Sequence, residues 1–293
     1  MARAAANVSR LQLAMRIPKR NLSRTDTEDL YVFDMCALSA DEVLLACGRA
    51  GLRVVSLHTA QLVAHEPIAI REVYNVAFDA HTDTLLLLVW APTGDAGFGF
   101  QLVSLRRNAS EWIEVQRLDT RIRHYHHLFY NFKFAVCDSR VLLGNGHTLY
   151  MFDVSAEHTL RALRAMRLAL RVAGNATLKS NFACTRRDNV TLVAFPHDTS
   201  VSLLRFTSLT LRLVLIASVS LTHPTNLLFR GDLLLVKDLN RIVSFRASDS
   251  ALTERRVLVL LDALVGVHAW ALAGDRLVRA NWGSSDLLVY AFT

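Results

Sequence analysis

The chain has 293 residues, of which 52% are hydrophobic and 20% charged, with 5 Pro and 12 Gly; this composition supplies a large core and excludes disordered, collagen-like and mucin-like chains. The formal net charge is +7, yet every basic residue except Lys19, Lys133, Lys179 and Lys237 is arginine, and the arginines are spread in runs no longer than two. A dedicated nucleic-acid surface needs clustered cations and is not expected.

Segments of strand character follow one another in a repeating order. Residues 9–17 (SRLQLAMRI) alternate apolar and polar. A longer unit then begins, with strands predicted at 31–38, 43–47 and 52–57, a turn at Ser39-Ala40-Asp41 and a loop at 48–51. The second copy has strands at 73–78, 85–90 and 100–105, a turn around Asp83 and a glycine-rich loop over 92–99. Copies three to six place their three strands at 132–137, 141–143 and 149–154; at 181–185, 190–195 and 201–206; at 226–229, 233–236 and 242–245; and at 268–272, 277–280 and 287–292. A further β-prone stretch follows the third strand in the first five copies, at 61–70, 111–118, 159–168, 209–221 and 255–261. Residues 157–173 can also be read at helical spacing, which would replace the fourth strand of the third copy.

The turn aspartates at 41, 83, 138, 188, 232 and 275 are separated by 42, 55, 50, 44 and 43 residues, the period of a four-stranded propeller blade. The sixth copy lacks a fourth strand, and residues 9–17 supply one at the other end of the chain. The expected fold is therefore all-β: one β-propeller domain over 1–293, with six four-stranded blades at about 30–70, 71–120, 131–168, 177–221, 223–262 and 266–293. The last blade is closed by an N-terminal strand at about 8–17, and seven blades are the alternative. The aspartates themselves are read as hairpin formers.

In strand order the chain resembles the WD40-like and other propeller superfamilies over essentially its whole length. The resemblance extends to phrases such as Leu44-Leu45-Ala46-Cys47-Gly48 followed by Gly51-Leu52-Arg53-Val54-Val55-Ser56-Leu57. It lies at the level of the class. No Trp-Asp pair ends the third strands, Phe152-Asp153 being nearest, no Gly-His pair opens the units, and kelch double glycines are absent. The polar network of true WD repeats is accordingly not expected, and apolar packing between blades must hold the ring.

Walker A, HExxH, GxSxG and strand-borne GxGxxG motifs are missing, so no catalytic residue, cofactor or metal site is expected. The leading expectation is a non-enzymatic interaction module or scaffold, monomeric on its own, that binds a protein through its loop-rich face. The most distinctive segment is 121–131 (RIRHYHHLFYN), where Arg121, Arg123, His124, His126 and Tyr130 suit an acidic partner. Arg49, His197, Arg241 and Trp282 fall in loops of the same face, and exposed Arg and Trp are common interface anchors. The alternative is a hydrolase- or lactonase-like enzyme or ligand binder using polar residues at the starts of the inner strands: Tyr74, Asn75, Asn131, Asn181, Asn226 and His268. This set is rich in asparagine and poor in carboxylates, which suits ligand coordination better than acid–base work.

Cys36, Cys47, Cys137 and Cys184 have neither CxxC pairing nor zinc spacing and are expected to be buried free thiols. Five Asn-x-Ser/Thr sites, at Asn7, Asn21, Asn108, Asn175 and Asn189, exceed what chance gives among 12 asparagines. No apolar run approaches the roughly 20 residues of a membrane span. Residues 1–20 also lack the apolar centre of a secretory signal. The expected location is therefore cytoplasmic, with the nucleus as an alternative, and the Asn-x-Ser/Thr sites are set aside.

Overall fold

Residues 85–88 are four consecutive leucines, a pattern that a sheet with one wet face cannot use and a sheet buried on both faces requires. The computed structural model accounts for it. It describes residues 10–23, 30–63, 69–93, 97–109, 111–120, 132–137, 139–145, 148–167, 182–187, 190–207, 212–260, 267–281 and 286–293. These form six four-stranded antiparallel sheets, each a blade, and one short 3-10 turn at Lys19–Asn21.

After β1 (Leu11–Ile17), blade 1 comprises β2 (Asp34–Ala37), β3 (Glu42–Ala46), β4 (Leu52–Ser56) and β5 (Gln61–Leu62). Blade 2 comprises β6 (Val73–Asp79), β7 (Thr84–Thr93), β8 (Gly97–Asn108) and β9 (Glu111–Asp119), and blade 3 comprises β10 (Phe132–Cys137), β11 (Arg140–Asn145), β12 (Thr148–Val154) and β13 (Leu160–Arg167). Blade 4 comprises β14 (Ala183–Arg187), β15 (Val190–Pro196), β16 (Ser200–Thr207) and β17 (Arg212–Ser220), and blade 5 comprises β18 (Pro224–Arg230), β19 (Leu233–Asp238), β20 (Arg241–Ala247) and β21 (Leu252–Leu260). Blade 6 comprises β22 (Val267–Ala273), β23 (Arg276–Asn281) and β24 (Leu287–Phe292), and its fourth strand is β1. The helical reading of 157–173 gives way to β13, whose pairing with β12 runs from Val154↔Leu160 to Thr148↔Arg167.

The ring closes as expected. β1 runs antiparallel to β24 from Leu11↔Phe292 to Ile17↔Leu287, and Arg10 and Thr293 exchange backbone hydrogen bonds of 3.1 and 3.0 Å. Asp286, almost fully buried, fastens the joint by accepting from Arg16 Nη2 at 2.5 Å and from the Lys19 amide at 2.8 Å.

The core lies in six seams between neighbouring blades. Alternation along β3 sends Val43 and Leu45 into the seam with blade 6 and Leu44 and Ala46 into the seam with blade 2; both faces of each second strand are thus buried, and the high mean hydropathy of +0.26 follows. Each fully buried leucine contributes about 2 kcal/mol by removal from water. Seam 3–4 holds a correction. Cys137 and Cys184, expected as free thiols, form a disulfide between β10 and β14 with Cα atoms 5.9 Å apart. Cys36 and Cys47 are free.

Two faces follow from the strand order. The upper face carries the turns from second to third strands and the passages from each fourth strand to the next blade. The lower face carries the turns from first to second and from third to fourth strands. No helix among the described residues is long and apolar enough to cross a membrane.

Candidate interaction face and central channel

On the upper face the turn between β3 and β4 is held against blade 2: the Gly48 amide donates to the Val73 carbonyl at 2.8 Å, and the Gly48 carbonyl accepts from the Val73 amide at 3.2 Å. Gly48 sits at φ +56°, and a Cβ there would lie 2.7 Å from Phe33 Cε2, so only glycine fits. The turn presents Arg49, whose Nε lies 3.2 Å from Glu72 Oε1 while its side chain stays 91% exposed. Tyr74 donates its hydroxyl to Glu72 Oε2 at 2.7 Å and meets Phe33 edge-on at 4.9 Å. Arg49 and Tyr74, assigned from sequence to different surfaces, therefore meet at one carboxylate that the sequence did not single out.

Blade 2 reaches furthest. The predicted loop over 92–99 is largely a continuation of the hairpin, since β7 and β8 pair through Ala91↔Gly99, Pro92↔Phe98 and Thr93↔Gly97. Gly97 and Gly99 thus lie in a strand. The hairpin carries Phe98, 53% exposed, stacked on Trp90 with ring centroids 5.9 Å apart.

Two other predicted partner contacts already have partners within the chain. His197 is buried and its Nε2 lies 2.9 Å from Ser202 Oγ; burial pushes its pKa below the usual histidine value, against the raising effect of Asp198. Arg241 is committed to Asp238 through Nη2 at 2.7 Å and Nε at 3.1 Å. Asp238 is fully buried and also accepts the amides of Thr222 at 2.8 Å and His223 at 2.7 Å. Burial alone would raise its pKa, but the His223 amide, Arg241 and the Thr222 amide outweigh this and hold it low. The same turn leaves Leu239 54% exposed. Next to it, Leu235 and Leu277 lie in seam 5–6, so the strand period of two places Lys237 and Arg279 in that seam as well. Both are buried. Burial lowers the Lys237 pKa, the charge of Arg279 lowers it further, and Asp238 opposes them.

At the centre, a cavity of about 260 Å³ is walled by the first strands of all six blades. Its wall differs from the expected one. Tyr74 and Asn75 are replaced by Val76, Ala77 and Phe78, and Asn226 by Leu227, Leu228 and Phe229. Asn75 and Asn226 are buried beside the cavity, and Asn75 Nδ2 donates to Asp34 Oδ2 at 3.1 Å. Asp34 and Cys36 are the cavity's polar landmarks. Burial, with the charge of Asp34, pushes the Cys36 thiol well above its ordinary pKa, which disfavours the thiolate and with it nucleophilic chemistry.

The lower face is ionic. Arg230 of blade 5 reaches Asp275 of blade 6 at 2.7 Å, and Arg276 of blade 6 reaches Asp41 of blade 1 at 2.6 Å and also the Ala40 carbonyl. Asp232 takes Arg246 at 3.1 Å, and Asp153 takes Arg140 at 3.4 Å and Arg161 at 3.3 Å. Among the described turn aspartates, Asp83 has the left-handed backbone of a hairpin former, φ 50°; Asp41, Asp232 and Asp275 serve as ion-pair acceptors, a role the sequence reading missed. The signal lay in the arginines beside them, Arg230 and Arg276.

Arg121, Arg123, His124, His126, Tyr130, Asn131, Asn181 and Trp282 lie outside the described residues, as do Asp138 and Asp188. His268 is placed on β22 by its backbone alone. Among the described residues no group of His, Cys, Asp and Glu could hold a metal ion.

The closed ring of six four-stranded blades makes this chain a β-propeller. It is similar in fold to a chain of the crystal structure of the mitotic checkpoint complex, with a TM-score of 0.57 at 11% identity over 100% of this chain and 99% of that one. In all, 1160 chains of solved structures match, and a shape so widely shared specifies no partner. No protein-family model and no curated protein matches the sequence.

Proposed function

We propose that the chain is a non-enzymatic interaction module that binds a protein partner on its upper face. The observation that carries this is the exposure of large apolar side chains on hydrogen-bonded upper-face segments: Phe98 at 53%, Leu239 at 54% and Tyr31, just before β2, at 50%. Aromatic side chains on a fixed backbone lose little entropy on binding and make effective anchors. Arg49 stands beside them as an exposed cation. The passage from β9 to β10, with Arg121, Arg123, His124, His126 and Tyr130, and the turn bearing Trp282 belong to the same reading. The likeness to a chain from a multiprotein assembly agrees with it. Enzymatic use of the channel is disfavoured by a wall in which Asp34 already accepts two hydrogen bonds and Cys36 is held as a thiol. The cytoplasmic expectation has to contend with the disulfide, because such bonds are rare where thiols are kept reduced.

The test is affinity capture of the full chain from the cells that make it, followed by titration of the captured protein. Phe98→Asp and Leu239→Asp together are expected to weaken binding at least tenfold, and Arg161→Ala on the lower face to leave it unchanged. Binding that survives the double change overturns the assignment of the face.

A further inference from the structure

The ring brings together two cysteines that lie 47 residues apart in sequence and joins them as a disulfide. Disulfides form and persist in oxidising surroundings and are rare in reducing ones. Independently, five of the 12 asparagines stand in Asn-x-Ser/Thr, the acceptor sequence for N-linked glycans on secreted surface loops. The fold separates the two acceptors it describes. Asn21 is half-buried, its Nδ2 donates to the Ala60 carbonyl at 3.1 Å, and Leu22 beside it is fully buried; a glycan on that nitrogen would be crowded by the contact. Asn108 ends β8 at a hairpin tip on the rim of the ring, pairs with Glu111 and is exposed, with Ala109 after it in the left-handed region at φ 53°.

We propose that the chain folds in an oxidising, secretory-type compartment and carries an N-linked glycan on Asn108. In the transfer, Nδ2 of Asn108 bonds to the anomeric carbon of an oligosaccharide held on a lipid pyrophosphate. The anomeric C–O bond to phosphate breaks, the lipid pyrophosphate leaves, and Nδ2 gives up one proton. The disulfide forms when the thiols of Cys137 and Cys184 give two electrons and two protons to the disulfide of a thiol oxidoreductase, which departs as a dithiol. This inference is independent of the upper-face reading, since Asn108 lies at a lower-face turn and neither face depends on the compartment.

The full chain, recovered from the cells that make it, is treated with peptide N-glycosidase and weighed; a second portion is alkylated in denaturant before and after reduction. The glycosidase is expected to lower the mass by at least one glycan. Asn108→Gln, or Ser110→Ala with Asn108 kept, removes one such step, whereas Asn21→Gln removes none. Two thiols, Cys36 and Cys47, alkylate without reduction and four after it. A chain of unmodified mass, a glycan shift that neither Asn108→Gln nor Ser110→Ala reduces, or four reactive thiols before reduction overturns the proposal.

Discussion

On the lower face of the ring, Arg230 and Arg276 reach across seams to Asp275 and Asp41, whose side chains are 86% and 65% exposed. On the upper face, Asp238 is fully buried and accepts Arg241 together with the amides of Thr222 and His223. The lower pairs join different blades directly, with their carboxylates open to solvent. The upper cluster ties one blade to its own entry passage around a carboxylate that is itself buried. Coulomb attraction between wet charges is screened, while a buried carboxylate stripped of its partners has nothing to replace them. The same element, an aspartate in or beside a turn, therefore does little for stability on one face and a great deal on the other.

The sharpest way to break this contrast is Asp238→Ala. It takes the shared acceptor from the Thr222 and His223 amides and frees Arg241 from its carboxylate, and a loss of about 2–3 kcal/mol is expected. Urea denaturation of variant and parent measures it. A loss below about 1 kcal/mol would place Asp238 with the exposed pairs and remove the distinction between the faces.

The blades were legible because their signals are local and repeated. The apolar run over 85–90 and the turn at Asp83 lie within a few residues of each other, and six such units repeat one pattern. The charge clusters are of another kind. Asp238 meets amides 15 and 16 residues earlier, and Arg276 meets Asp41 at a separation of 235 residues. No local strand or turn pattern signals either pairing. Arg241 and His197 have partners close in sequence, Asp238 three residues before and Ser202 five residues after, but a loop composition does not tell a turn that binds its own side chains from one that leaves them free. The disulfide stood between these cases: its cysteines are 47 residues apart, close to one blade period, so they occupy matching first strands of adjacent blades. Comparing repeat positions would have paired them. The cavity wall lies one to three residues beyond the polar strand starts, at Val76 to Phe78 and Leu227 to Phe229, and the polarity of a strand start does not say at which residue the strand first faces the axis.

Buried charge on the upper side can also destabilise. Lys237 shares seam 5–6 with Arg279, and burial together with that second cation depresses its pKa. A lysine whose folded pKa lies below its unfolded value weakens folding most at pH below the folded pKa, where both states are charged. The penalty fades as pH rises from the folded pKa toward the unfolded value of about 10.4. Lys237→Met keeps the stem and removes the charge, so at pH 7 it is expected to stabilise the chain by about 1–2 kcal/mol. Denaturation at pH 7 and at pH 10 should show the advantage shrinking with alkalinity. A variant less stable than its parent at pH 7 would mean that the ammonium is compensated in place.

The lower face should give the smallest effect. Asp41→Asn and Asp275→Asn each remove one inter-blade pair whose acid is mostly exposed, and each is expected to cost less than about 1 kcal/mol. At about 1 M salt the screening length falls to roughly 3 Å, and the difference from the parent should nearly vanish. Asp238→Ala, measured in the same salt, should keep most of its loss, because hydrogen bonds converge there on a carboxylate that is itself fully buried. If the lower-face variants prove costly and insensitive to salt, the blades are being held in register by these pairs, and the seams of leucine and valine would no longer suffice as the account of what keeps the ring closed.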